Sequence, residues 1–172
     1  MLTNLYLLSV FLHILSAMLW VGGMLFLILV VTPFLKKGER LDSAYFYRNA
    51  GTRFRKIAWM GFGVFFVTGV FNLGYRGVRL SDLFRPEWLA SPYGKLIATK
   101  IGLFLLILLL SAIHDFWIGP AATRAASGEA GADPAASMKL RKSAALYGRI
   151  NFLLGLIMVA LGVMIVRGLP RF

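Results

Sequence analysis

Long uncharged runs constrain this chain more than any other feature of its sequence. The first run, Leu5 to Val31, is 27 residues long and contains no charged side chain. A helix of that length rises about 40 Å, which exceeds the roughly 30 Å hydrocarbon core of a bilayer. Three further apolar runs follow, at about 57–73, 96–118 and 150–166. The sequence therefore predicts an all-α fold: a polytopic membrane protein with one domain, 1–172, built as a bundle of four transmembrane helices.

Composition excludes a soluble fold. Hydrophobic residues make up 59% of the 172 residues, charged residues make up 15%, and the mean hydropathy is +0.75. A domain this small has too little interior to bury that much apolar surface, so the surplus must face lipid. The lack of cysteine excludes disulfides, iron–sulfur clusters and thiol catalysis. The net charge of +12 fits basic loops that lie against anionic lipid headgroups, and no separate basic stripe indicates nucleic-acid binding.

The distribution of basic residues predicts the orientation of the helices. The connections between helices one and two and between helices three and four carry 12 Lys and Arg residues, and the opposite side carries 7. The positive-inside rule therefore predicts that both termini lie on the periplasmic side. Pro33 and Pro120 are expected to mark the exits of helices one and three. The Ala- and Gly-rich stretch at about 121–148 is expected to be a flexible cytoplasmic loop.

A weak internal repeat relates the second and fourth helices. Three residues of the second helix recur in the fourth at a constant offset of 93: Ile57, Gly69 and Val70 match Ile150, Gly162 and Val163. This pattern indicates a parallel repeat of two helices each, although three matches in apolar sequence can also arise by chance.

Both histidines of the chain lie in predicted membrane helices. A neutral imidazole is the commonest ligand of transition metals and of haem iron, so His13 and His114 are candidate metal ligands. The alternative is that each histidine packs between helices with its hydrogen bonds satisfied. The two lie at different depths, on the order of 10–15 Å apart along the membrane normal. Two separate sites, or one site with a relay, fit that offset better than one shared ion.

A stripe of residues on the first helix resembles one wall of a flat cofactor slot. Trp20 and Met24 follow His13 by seven and eleven residues and share its face. Gly22 and Gly23 would leave room for a bulky ring. Ordinary helix packing is the alternative explanation, because glycine also allows close helix contact in membranes.

A lysine and an aspartate interrupt the third apolar run. Lys100 lies near its outer end, on the face of His114, where it can extend toward the interface or pair with a carboxylate such as a haem propionate. Asp115 follows His114 directly and points to another face. It could orient a histidine on another helix or cap the cytoplasmic end of its own helix.

Several motifs resemble the copper-resistance-D domain family of bacterial inner-membrane proteins. They are His13 with the W-V-G-G sequence at 20–23, R-F-R-K-I-A at 53–58, T-G-V-F-N at 68–72 and S-P-Y-G-K-L-I-A-T-K at 91–100. The resemblance covers about residues 5–120. It implies a multi-pass protein of the inner membrane that handles copper, in some relatives together with a periplasmic partner.

The same arrangement is also similar to the membrane protoporphyrinogen oxidase family, which binds haem b. Both have a histidine and tryptophan in helix one and a lysine followed by a histidine in helix three. That likeness implies His13 and His114 as haem ligands and Lys100 as a matched polar position. This chain lacks the further histidines of that family, so the oxidase activity does not carry over with it.

Three functions follow from these features. The first is electron transfer by haem b, held by His13 and His114, between a membrane pool and a redox partner. The second is transport or homeostasis of copper, for which the offset histidines would be successive binding positions. The third is a metal-free structural or assembly subunit. A homo-oligomer fits all three, and the sequence leaves open whether the protein is an enzyme.

Overall fold

The computed structural model describes residues 1–37, 43–126 and 134–168, and within them all regular structure is helical. The elements, in chain order, are α1 (Leu2–Phe26), a first π-helical segment (Leu27–Val31), α2 (Thr32–Lys37), α3 (Ser43–Tyr75), a 3₁₀ helix (Leu80–Phe84), α4 (Pro86–Ala90), α5 (Pro92–Ile113), a second π-helical segment (His114–Ile118), α6 (Gly119–Ala126) and α7 (Pro134–Arg167).

Four stretches of the described chain are long and apolar enough to cross a membrane: Leu2–Leu35, Asn49–Tyr75, Pro92–Ala125 and Ala135–Arg167. This confirms the prediction of an all-α membrane protein with four spanning helices. Consecutive spans alternate in direction, so α1 begins and α7 ends at the same end of the bundle, which we name the terminal end. The opposite end, where α2 and α6 end and where α3 and α7 begin, is the basic end.

The predicted loop at 121–148 is largely helical, which corrects the sequence interpretation. Residues 121–126 belong to α6, residues 134–148 form the first turns of α7, and the remainder of the loop lies outside the described residues. Likewise, α3 begins at Ser43, well before the predicted start at 57. Alanine, lysine and arginine favour helix, and a helix that leaves the membrane can carry charged side chains in water. Hydropathy therefore marks where the lipid ends and does not mark where a helix ends.

Neither proline ends its helix, contrary to expectation. A π-helical segment precedes each one: the N–H of Thr32 donates to the carbonyl of Leu27, and the N–H of Gly119 donates to the carbonyl of His114. Pro33 and Pro120 come directly afterwards. A proline ring clashes with the carbonyl four residues before it, and the wider π turn relieves that clash so that the helix continues.

These two π segments reveal a repeat that the sequence shows only in part. Leu27–Val31 and His114–Ile118 are separated by 87 residues, as are Pro33 and Pro120. The chain therefore consists of two helical hairpins of the same layout, one over 2–75 and one over 92–167.

The repeat has a different offset in its two helices. The first helices of the hairpins match at 87 residues, and the second helices match at the 93 residues seen in the sequence. The stretch from Pro120 to Ile150 is six residues longer than its counterpart, from Pro33 to Ile57. At the offset of 87, the counterpart of His13 is Lys100. The sequence offset of 93 pairs His13 with Leu106 and so conceals this equivalence.

The core lies at the centre of the bundle and is built from both hairpins. Trp20 packs edge-on against Phe62, with ring centroids 5.1 Å apart, and Phe62 meets Phe104 at 6.3 Å. Ile107, the counterpart of Trp20, is 1% exposed. Such close packing matters in a membrane, where contact between side chains, rather than escape from water, holds helices together.

Candidate functional site

His13 is held by a hydroxyl of the neighbouring helix. Its Nδ1 lies 2.7 Å from Oγ1 of Thr68 in α3. The Thr68 hydroxyl donates its proton to the carbonyl of Val64 at 2.6 Å, so it must accept from the imidazole. The Nδ1 atom therefore carries the ring proton, and Nε2 keeps its lone pair. Among the described residues, Nε2 has no hydrogen-bond partner.

The surroundings of His13 fix the position of the ring. The imidazole meets the ring of Phe65 edge-on, with centroids 4.9 Å apart. A Cβ atom at Gly69 would lie 3.8 Å from Cε1 of His13, so the imidazole lies next to this glycine of α3. Ser9, one turn before His13, donates its hydroxyl to the carbonyl of Thr68 at 3.5 Å. The imidazole is thus half-buried between α1 and α3.

His114 is held by the residue that follows it. Its Nδ1 lies 2.9 Å from Oδ1 of Asp115, and the second carboxylate oxygen accepts a hydrogen bond from Nε1 of Trp59 at 3.0 Å. Because the carboxylate is an acceptor, Nδ1 carries the proton in the neutral imidazole and Nε2 again presents its lone pair. The side chain of His114 is 30% exposed. Asp115 therefore orients the histidine next to it.

In the second π segment the backbone carbonyl of Asp115 lacks its usual donor within the helix, and Arg55 donates a hydrogen bond to it. The N–H of Gly119 donates to His114, and Pro120 has no N–H, so the usual donors to the carbonyl of Asp115 are missing. Nη1 of Arg55 donates to that carbonyl at 2.7 Å, and its guanidinium lies 5.6 Å from the ring centre of Phe116. An arginine of α3 thus fixes the segment that carries His114.

The two histidines do not share one ion. Thr68 and Trp59, which contact the two sites, are nine residues apart on the continuous helix α3, which is about 13 Å along its axis. Across the described residues, no group of three or more His, Cys, Asp or Glu side chains could hold a metal. Each histidine therefore lies apart from the other, and the Nε2 of each has no hydrogen-bond partner among the described residues.

The predicted cofactor slot is filled by the protein itself. A Cβ atom on Gly23 would overlap the ring of Phe54 from α3, so that ring already lies in the notch. Gly22 has no neighbour within 4 Å of its Cβ position and faces away from the packed interior. The ring of Phe54 thus occupies the notch at Gly23, the side of Gly22 is open, and haem binding at these glycines stays a prediction. A glycine in the sequence indicates that another group can lie close to the helix backbone, but it does not indicate whether that group is a cofactor or a side chain.

Trp20 and Met24 are core residues and do not line an open slot. Trp20 is 7% exposed and packs against α7, where a Cβ atom on Gly155 would lie 3.2 Å from its ring. Met24 is 8% exposed and belongs to the same cluster. The imidazole of His13 contacts α3 instead, so the stripe on α1 consists of one polar contact to α3 and two residues that pack in the core.

Lys100 points into the bundle. Its Nζ lies 3.6 Å from the Cβ position of Gly162 in α7. This contact repeats, in the second hairpin, the contact of His13 with Gly69 in the first. The glycines match at the offset of 93, and the polar residues match at the offset of 87. Sequence reasoning found all four residues and missed their symmetry.

Comparison with known proteins identifies the family. The family described as copper resistance protein D matches residues 48–167 of this chain. The chain belongs to the copper resistance protein D family. An uncharacterized protein of Aquifex aeolicus is 35% identical over 159 residues, which cover 92% of this chain and 93% of that protein. The copper transport protein CutJ of Bacillus subtilis is 34% identical over 105 residues, which cover 60% of this chain and 18% of CutJ. No solved structure matches.

Membership confirms the resemblance to the copper-resistance-D family that the motifs indicate. With its four spans, the chain is a multi-pass protein of the inner membrane, and the family implies a role in copper homeostasis. The similarity to the protoporphyrinogen oxidase family stays a prediction.

Proposed function

We propose that this protein binds copper ions as cargo at His13 and at His114, and passes them between these two depths of the membrane. We place the terminal end of the bundle on the periplasmic side, because the opposite end carries the excess of basic residues and such residues favour the cytoplasmic side. His13 would be the position nearer the periplasm and His114 the position nearer the cytoplasm.

The orientation of both imidazoles carries the proposal. A histidine that binds a metal through one nitrogen almost always donates its other N–H to a carboxylate, carbonyl or similar acceptor, which fixes the ring. His13 donates to a hydroxyl and His114 donates to a carboxylate. In each case Nε2 is left as the ligand atom, and imidazole nitrogen binds copper. A histidine that only packs also donates its ring N–H, so the feature that favours ligation is the unpartnered Nε2 that both histidines share among the described residues.

The depth of the two positions supports passage rather than storage. His13 lies 11 residues after Leu2, the first residue of α1, and His114 lies 22 residues after Pro92, the first residue of α5. These separations correspond to about 17 Å and about 33 Å from the terminal end. Single-ligand sites hold an ion weakly, which suits an ion that must leave again. CutJ, a relative with copper transport in its name, is similar to this chain over 105 residues.

Haem b in electron transfer was the leading hypothesis from sequence and has less support. The ring of Phe54 fills the notch expected to admit the macrocycle, and the two histidines are too far apart to ligate one iron from both sides. A redox partner would follow only from a haem centre. A periplasmic copper protein is the partner that the copper proposal favours.

Copper stoichiometry tests this proposal. A titration of the purified protein with copper under reducing conditions, read at equilibrium with free copper present, should give two binding sites. His13→Ala and His114→Ala should each give one, and the double variant should give none. Met60→Leu, at an exposed position that faces lipid, is the control and should bind as the unaltered protein does.

Three results would overturn the proposal. Binding of both copper ions by the double variant would exclude the histidines as ligands. A Soret band in the visible spectrum of the purified protein, lost in His13→Ala, would establish haem instead. If the unaltered protein binds neither copper nor haem, the metal-free structural function is the better explanation.

A further inference from the structure

Lys100 is a cation inside the membrane bundle. It lies on the buried stripe of α5, three residues after Ile97, which is 3% exposed, and four before Phe104, which packs on the core. Its Nζ lies 3.6 Å from the Cβ position of Gly162 on the facing helix. With eight residues between Pro92 and Lys100, the ammonium lies about 12 Å inside the terminal end.

No carboxylate compensates this charge in the described part of the chain. Lys100 forms no hydrogen bond or ion pair there. Of the acidic residues described at the terminal end, Asp82 is engaged by Arg85 at 3.2 Å and by the N–H of Arg79 at 2.8 Å. Glu87 is exposed on the short helix α4. Charged side chains inside a membrane protein normally have a partner, because an isolated charge there costs several kcal/mol by order of magnitude.

A second cation lies at the mouth of the same region. Nε of Arg76, the residue after α3, donates to the hydroxyl of Tyr6 at 3.2 Å, and this bond raises the pKa of Arg76 above its usual value. Tyr6 is itself held by stacking on Tyr75, with ring centroids 4.1 Å apart. Lys100 lies within electrostatic range of Arg76. The charges of Lys100 and Arg76 therefore add to a positive electrostatic potential in this part of the bundle.

Two buried polar atoms lack partners here. The hydroxyl of Tyr93 approaches Arg76 without a hydrogen bond of good geometry, and Oδ1 of Asn72 is also unsatisfied. Tyr93 precedes Lys100 by seven residues and shares its face of α5, and Asn72 lies one turn beyond Thr68 on α3. Buried polar groups in native proteins are satisfied in the great majority of cases, so unpaired ones together indicate a missing partner.

We propose that the terminal end holds a binding site for an oxyanion, a carboxylate or a phosphate group, at Lys100, with Arg76 at its entrance. Lysine, arginine and tyrosine all donate hydrogen bonds, and oxygen atoms of an anion accept them. A 180° flip of the Asn72 side-chain amide would add its NH₂ group as a further hydrogen-bond donor. The anion would supply the negative charge that the described chain lacks at this depth.

Either of two sources could supply this chemistry: a small soluble anion that enters from the terminal side, or the headgroup of an anionic lipid. The test uses the full-length protein in nanodiscs of phosphatidylcholine or of phosphatidylcholine with phosphatidylglycerol. Its thermal unfolding midpoint is measured with acetate or inorganic phosphate against chloride at equal ionic strength. Binding to the folded state alone should raise the midpoint by about 2–4 °C for each 1 kcal/mol of binding stabilisation.

Matched variants identify the residue responsible. Lys100→Gln should abolish the rise, whereas Lys95→Gln, which removes an exposed lysine of the same helix, should keep it. Arg76→Gln changes an exposed position, so we expect no folding defect. It should lower the affinity for the anion about tenfold, so that tenfold more anion is needed for the same rise of the midpoint. This variant keeps the test decisive if Lys100→Gln is unstable.

The outcomes separate the two sources and the proposal itself. A rise with acetate or phosphate in phosphatidylcholine discs indicates a soluble anion. A rise only with phosphatidylglycerol indicates a lipid headgroup. No rise under any condition, or an equal rise in Lys100→Gln, would show that the site does not exist. Since no copper is present, neither result depends on the copper proposal.

Discussion

The imidazoles of His13 and His114 have the same tautomer, but different groups hold them in it. Both imidazoles carry the proton on Nδ1 and present Nε2. In the interior, His13 is oriented by the neutral hydroxyl of Thr68, which passes its own proton to a backbone carbonyl. Toward the basic end, His114 is oriented by the carboxylate of Asp115, with Trp59 on the second oxygen.

Depth explains this difference. An ionised carboxylate is costly at the centre of a bilayer and much less so near its edge, where water and basic residues are close. A hydroxyl hydrogen-bonded to its own helix carries no net charge and can be placed anywhere. The comparison teaches that orientation of a buried ligand does not require charge, whereas the strength of the ligand should depend on it.

The largest expected effect concerns the charged partner. Asp115→Ala should lower copper affinity at His114 by roughly 10–100-fold, because the carboxylate both fixes the imidazole and raises its basicity. The measurement is a copper competition titration in the His13→Ala background, with Asp82→Ala as the control. Unchanged affinity would show that the carboxylate does not act on the ligand and would remove the contrast between the sites.

A smaller effect is expected at the neutral partner. Thr68→Val should lower copper affinity at His13 by about tenfold, because the ring loses its orienting bond but no charge. Nitrogen NMR of the neutral imidazole should show a mixture of tautomers in place of the single Nδ1-protonated form. If that single form persists in the variant, Thr68 is not what sets the tautomer.

The smallest effect sharpens the comparison within the His114 site. Trp59→Phe keeps the aromatic packing against Phe62 and Phe116 but removes the indole donor to Asp115. The loss of one hydrogen bond should reduce copper affinity at His114 by about threefold and leave His13 unaffected. The same copper titration measures this loss. If Trp59→Phe lowers the affinity as much as Asp115→Ala does, the carboxylate of Asp115 depends entirely on the hydrogen bond from Trp59.

Much of the fold was predictable because lipid imposes a simple rule. Apolar runs gave the four spans, and residue spacing gave the depth difference between the histidines. The helical extensions beyond the lipid were not predicted, since hydropathy is silent on helices in water. Phe54 shows a contact at the expected cofactor slot that the sequence does not reveal. It lies in the basic sequence before the second apolar run, and nothing in the sequence places its ring beside Gly23.

The matching of His13 with Lys100 has a consequence for how such a bundle can be specialised. Two identical hairpins that associate would have to carry the same side chain at both of these positions. Once both hairpins belong to one polypeptide, each position can change alone. One glycine-backed position here presents a lone pair suited to a cation, and its counterpart presents an ammonium suited to an anion. Covalent linkage thus lets a nearly symmetric scaffold present a lone pair at one position and a positive charge at its counterpart.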